Sequence, residues 1–132
     1  MARTHKRSFV KRDQAQTRSY SQAVITEGGR IIWLAGQTGG EDASGRSLAG
    51  DFDGQVRETF ARLGKTLEEA GATLKDMVTM TVFITDVRLG TRLTELRREI
   101  FGDDFPGSAL ITVTALARPE LLIEIQGIAV TG

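Results

Sequence analysis

Met77-Val78-Thr79-Met80-Thr81-Val82-Phe83-Ile84-Thr85 alternates over its whole length. Val78, Met80, Val82 and Ile84 fall on one side, and Thr79, Thr81, Phe83 and Thr85 on the other. This predicts a β-strand with one face against helices and a second, half-polar face that meets something else. The flanking sequence supplies the helices. Upstream, Phe52, Val56, Phe60, Leu63, Leu67 and Ala70 recur at steps of four, four, three, four and three, the apolar stripe of an amphipathic helix. Asp51 is its expected N-cap and Gly71 its stop. Downstream, Leu89, Leu93, Leu96 and Ile100 mark a second helix that ends at Gly102.

Further out, SQAVIT (21–26) and IIWLAGQ (31–37) flank Gly28-Gly29, a pattern that predicts a β-hairpin. Gly36 to Gly50 is glycine-rich and polar and reads as a long surface loop. Leu110 to Ala115 and Ile123 to Val130 read as closing strands joined by a turn through Ala117-Arg118-Pro119-Glu120. The order predicts an α+β fold, a mixed sheet with two helices on one face. A sheet face left uncovered in so small a domain closes by self-association, so a homo-oligomer is expected.

At 132 residues the chain is long enough for one core. Residues 20–132 are read as that single domain and residues 1–19 as a basic, solvated N-terminal tail. Lys plus Arg (17) equals Asp plus Glu (17), which argues for small molecules or protein partners over nucleic acid. The absence of cysteine excludes disulfides, thiolate nucleophiles and Cys-based metal sites. Apolar runs are of strand length and no apolar segment follows the basic start, so a cytoplasmic protein without membrane association is expected.

Gly40-Glu41-Asp42-Ala43-Ser44-Gly45-Arg46-Ser47 approaches a phosphate-binding loop but fails it. Arg46 stands at the lysine position, Glu41 and Asp42 would repel phosphate, and no helix begins before Asp51. The one histidine, His5, lies in the tail, so Ser-His-Asp triads and His-bearing metal sites lack their central group and no metal site is expected. Proton transfer is left to carboxylates, Tyr20 and arginines. Glu124 stands out because it interrupts the apolar run IEIQGIAV. Two readings stand for it: a general base with a shifted pKa, or an edge residue satisfied by a neighbouring subunit.

Ser21-Gln22-Ala23-Val24 after Tyr20, Leu34-Ala35-Gly36-Gln37, Val78 to Asp86, Phe105-Pro106-Gly107-Ser108-Ala109 and Ile123 to Val130 together resemble the reactive-intermediate deaminase (RidA/YjgF) family from Tyr20 to the C-terminus. The resemblance implies a chorismate-mutase-like fold, a homotrimer with sites in the clefts between subunits, and cofactor-free hydrolysis of enamines or imines to a carbonyl compound and ammonia. It further implies that Tyr20 closes the site, that Gly36 lies beside the substrate and that Glu124 holds the attacking water. Gly107, Ser108 and Ala109 would contact the substrate.

Two positions depart from the family pattern. Ser108 occupies the place of the arginine that grips the substrate carboxylate, and Thr94 replaces an asparagine on the second helix. A charge-assisted bond to carboxylate is worth roughly 1.5–3 kcal/mol, about twice a neutral one. Either the substrate differs from 2-aminoacrylate, with a 2-aminomuconate-like imine as one option, or the protein is a non-catalytic trimer that binds a small metabolite. Arg118 and Arg88 could replace the lost cation from other loops, but surface solvation is the favoured reading for both. Ribonuclease activity, a label some relatives carry, is disfavoured by the balanced charge and the lack of histidine in the body.

Overall fold

The computed structural model describes residues 5–132. Its elements are β1 (His5–Val10), α1 (Asp13–Gln16), β2 (Ala23–Gly28), β3 (Arg30–Gln37), α2 (Phe52–Glu69), β4 (Met77–Ile84), α3 (Gly90–Phe101), β5 (Gly107–Thr112) and β6 (Ile123–Thr131). The main sheet runs β3-β6-β4-β5, with β4 and β5 parallel and the other pairs antiparallel. It is therefore the expected mixed sheet. Both long helices lie on one side of it. Val56, Phe60, Leu63 and Leu67 of α2 and Leu93, Leu96 and Phe101 of α3 form one core with Met80, Val82, Ile84, Ile123, Ile125 and Ala129.

The helix boundaries follow from local chemistry. Asp51 Oδ1 accepts from the Gly54 amide at 2.9 Å, and Gly71, at φ +81°, ends α2 in the left-handed region. Gly102, at φ +70°, likewise closes α3. On β4 the alternation survives with one change. An irregularity between Met77 and Thr79 turns Met77 inward, so it takes the buried place expected of Val78.

Three expectations are corrected. The predicted hairpin between 21–26 and 31–37 does not form: β2 pairs with β1 and β3 with β6. Gly28 and Gly29, at φ +75° and +81°, carry the chain from one sheet to the other, and a Cβ on Gly29 would meet the Thr131 carbonyl. Within the segment read as a solvated tail, His5–Val10 is a strand and Ala15 is buried. Arg7 reaches across to the Val130 carbonyl (2.6 Å) and the Asp76 carbonyl (3.0 Å), which ties the small sheet to the main one. Finally, the closing strands are not neighbours, because β4 lies between β5 and β6.

The loop before β6 is held by one buried amide. Gln55 Nε2 donates to the Leu48 and Glu120 carbonyls (3.0 and 2.9 Å), and its Oε1 accepts from the Leu122 amide (2.8 Å).

Candidate functional site

Glu124 lies between Ile123 and Ile125, both fully buried against the helices, so the alternation of the strand turns its carboxyl to the opposite, uncovered face. It pairs with Phe83 of β4 in register. On the other side stands Gly36 of β3, where a Cβ would sit 2.6 Å from Glu124 Oε2. Gly36 is thus the residue that leaves room for this carboxylate. Thr79, Thr81, Gln126 and Trp33 share the same face, and Trp33 is 73% exposed.

Ser108 belongs to the other face. It is in register with Met80, a core residue, and its Oγ accepts from Arg97 Nη1 of α3 at 2.7 Å. Arg97 is 3% exposed. Its Nη2 donates to the Arg18 carbonyl at 3.1 Å, its Nη1 also touches Met80 Sδ, and its Nε has no partner. Burial first, and then the neighbouring Arg18, push its pKa down to about 10, which still leaves it cationic at neutral pH.

Around this pair is a cleft of about 300 Å³ lined by Arg18, Tyr20, Thr94, Arg97, Ser108 and Leu110. The chain is strapped into place there. Ser19, fully buried at φ +62°, donates its hydroxyl to the Thr94 carbonyl at 2.7 Å, and the Ser21 amide donates to the Pro106 carbonyl at 3.0 Å. A serine in the left-handed region is a strained choice, offset here by burial and that hydrogen bond. Its effect is to hold Arg18 and Tyr20 on either side of a fixed point.

The structure therefore gathers Tyr20, Thr94 and Ser108 in one cleft, and Gly36 with Glu124 in another place on the opposite sheet face. Gly107 opens β5 beside Ser21, and Ala109 is exposed in register with Thr81. Arg118 lies outside the Ser108 cleft, paired with Glu41 and Glu120, both at 3.2 Å. Arg88 is paired with Asp86 at 2.7 Å. Both stay on the surface, as favoured from the sequence, and the cations lining this cleft are Arg97 and Arg18. Arg97 was legible in the sequence, since it stands four residues after Leu93, on the apolar stripe of α3 where a charge needs a reason.

Among the described residues, no group of histidine, cysteine, aspartate and glutamate is placed to hold a metal ion. No helix is long and apolar enough to cross a membrane.

Residues 11–131 match the family described as Endoribonuclease L-PSP. The chain belongs to this family, the Rid (YjgF) proteins. This Rid protein is 34% identical over 110 residues to a RutC family protein of Pyrococcus abyssi, covering 83% of this chain and 84% of the relative. It is 30% identical over 113 residues to the human 2-iminobutanoate/2-iminopropanoate deaminase, covering 86% and 80%. A Rid-family protein of unknown function from Yersinia pestis superposes with a TM-score of 0.81 at 29% identity, over 95% of this chain and 98% of that one. A YjgF-family structure from Mycobacterium tuberculosis gives 0.68 at 31%, over 96% and 100%. The α+β fold of this Rid protein, with its mixed sheet, is thus the fold of solved Rid structures.

Proposed function

We propose that this Rid protein is a cofactor-free imine deaminase whose site forms between the uncovered sheet face of one protomer and the Ser108 cleft of the next, in a homotrimer. The observation that carries the reading is the Glu124 carboxylate on that uncovered face, with Gly36 clearing the space beside it. Relatives named as 2-iminobutanoate/2-iminopropanoate deaminases support the reaction class. Glu124 and Ser108 lie on opposite faces of one sheet, so a site that uses both requires two copies of the chain.

In this mechanism Glu124 holds a water and takes its proton as the oxygen attacks the carbon of a protonated imine. The C–O bond forms while the C=N pair moves to nitrogen, giving a tetrahedral carbinolamine. Glu124 then returns the proton to the amine; as the C–N bond breaks with its electron pair going to nitrogen, the hydroxyl oxygen forms the C=O and gives its proton to Glu124, which passes it to the ammonia, so that ammonium and a carbonyl compound leave. An iminium is already electrophilic, so positioning and one carboxylate suffice for useful acceleration. Tyr20 closes the cleft side, with Thr94 and Ser108 against the substrate, and Gly107 and Ala109 place the strand that carries Ser108. Arg118 keeps a role only if the neighbouring copy brings it to the cleft.

The test is ammonia release from imines generated in situ by an amino-acid oxidase, in wild type and Glu124→Gln. The variant should lose turnover by at least about a hundredfold while its assembly is unchanged. Equal rates in the two proteins would remove Glu124 from the chemistry.

A further inference from the structure

We propose that Gln16 and Arg98 are positioning residues for Tyr20: together they fix the short turn of chain that carries this ring to the cleft. This deepens the imine reading by naming what aims its closing residue, and it rests on that reading only for the kinetic half of the test.

α1 has four residues, too few to hold its shape alone, since isolated helices shorter than about 12–15 residues are marginal in water. Its support comes from outside. Ala15 is buried, and α3 supplies a clamp: Arg98 Nη2 donates to the Gln16 and Thr17 carbonyls at 2.7 and 3.2 Å. Those carbonyls lie at the C-terminal end of α1, where a cationic donor is favoured. The guanidinium also lies over the ring of Phe105, 5.3 Å from its centroid, and Phe105 is buried, so the clamp rests on a fixed base. Arg98 makes no ion pair among the described residues; its donors are devoted to this turn.

From Gln16 the support passes to Tyr20. Gln16 Nε2 donates to the Tyr20 carbonyl at 3.1 Å, and the Tyr20 amide donates to the Ala15 carbonyl at 3.2 Å. The Ser19 hydroxyl on the Thr94 carbonyl and the Ser21 amide on the Pro106 carbonyl fix the residues on either side. These bonds fall on the main chain of Tyr20 or on its neighbours. They set the direction from which the ring enters the cleft it shares with Thr94 and Ser108 without engaging its phenol.

The chain has one tyrosine, so protein grown with 3-fluorotyrosine reports Tyr20 as a single fluorine NMR resonance. The test reads that resonance in the assembled protein, in water and in heavy water, beside KM and kcat for ammonia release. Wild type should give one narrow line with a small solvent isotope shift, as for a half-buried ring. Arg98→Met and Gln16→Leu should each move the line toward free 3-fluorotyrosine and enlarge the isotope shift. Arg98→Lys keeps a charge and a donor without the planar fork, so its line should fall between. Arg57→Met removes another arginine of the helix layer, one paired with Glu99, and should leave the line in place. Where wild type releases ammonia, Arg98→Met should raise KM about tenfold and hold kcat within about twofold. Mere loss of folded protein would lower kcat at constant KM.

A line unmoved in both Arg98→Met and Gln16→Leu, or moved equally by Arg57→Met, would overturn the proposal, and so would a moved line with unchanged KM in an active enzyme. If Arg98→Met does not assemble, Gln16→Leu decides alone. The two ideas fail separately. A wild type inert on every imine ends the deaminase reading while the fluorine line still decides what holds Tyr20; an unmoved line in an active enzyme ends only the positioning.

Discussion

Gly36→Ala is the smallest change that reaches the Glu124 carboxylate. The added Cβ would stand 2.6 Å from Oε2, 3.2 Å from Cδ and 3.4 Å from Cγ, against the 3.4 Å at which ordinary contact begins. Glu124 must therefore give way by about 0.8 Å. The carboxyl is the free end of a flexible side chain, and Gly36 is exposed at a φ that alanine accepts, so the fold should lose no more than about 0.5 kcal/mol. Catalysis is less forgiving. A displacement near 1 Å of a water-positioning group costs about a hundredfold, or about 2.7 kcal/mol at 1.36 kcal/mol per tenfold. The assay is kcat/KM for ammonia release beside a urea denaturation curve on the same preparation. Wild-type kcat/KM in Gly36→Ala would refute the placement of Glu124 at the reacting water. Loss of both activity and stability would mean that β3 itself had moved.

Other outcomes follow from the same structure. Trp33→Glu puts a charge on the uncovered sheet face and forfeits about 2–3 kcal/mol of apolar burial per protomer, so sedimentation should show the assembly dissociating; an intact oligomer would place the interface elsewhere. Gln55→Leu removes three hydrogen bonds and strands the Glu120 carbonyl and the Leu122 amide, while the Leu48 carbonyl keeps the Asp51 amide, which should cost about 3 kcal/mol in denaturant unfolding. Asp53 is held below its ordinary 3.8 by its hydrogen bond to Arg92, so the stability it adds is present above that value and lost as pH falls through the lower folded value. The gap in melting temperature between wild type and Asp53→Asn should therefore be open at neutral pH and close as the pH falls through the lowered folded value.

Elements with a local cause were legible in the sequence. The α2 stripe from Phe52 to Leu67, its Asp51 cap, and the β4 alternation each rest on neighbours within a few residues, and each stands where it was expected. Strand pairing was less legible. The Gly28-Gly29 pair correctly marks a reversal of conformation, but whether β2 and β3 pair with each other or with β1 and β6 depends on partners up to a hundred residues away. The site shows the same division. Comparing one position with a family pattern leads only to the expectation of a missing cation at 108. The cation that stands there in space comes from α3, and its trace in the sequence is a charge on an apolar stripe.

The face on which each group lies decides how many chains a site needs, and that can be tested without a structure of the assembly. Glu124 projects from the uncovered face, because both its strand neighbours are buried under the helices; Ser108 projects to the helix side, because Arg97 of α3 donates to it. No motion short of unfolding the sheet brings both to one substrate within a protomer. Glu124→Gln spoils one component and Arg97→Met the other, so each homogeneous variant should be inactive. In a ring assembled from equal amounts of the two, a site is whole when its first protomer carries the Arg97 change and its neighbour the Glu124 change, which random assembly gives for about a quarter of sites. Co-refolded mixtures should thus recover about a quarter of wild-type turnover, measured as ammonia release per site. A mixture as inactive as its parents, with subunit exchange verified by mass, would show that Glu124 and Arg97 do not serve one site across a subunit boundary.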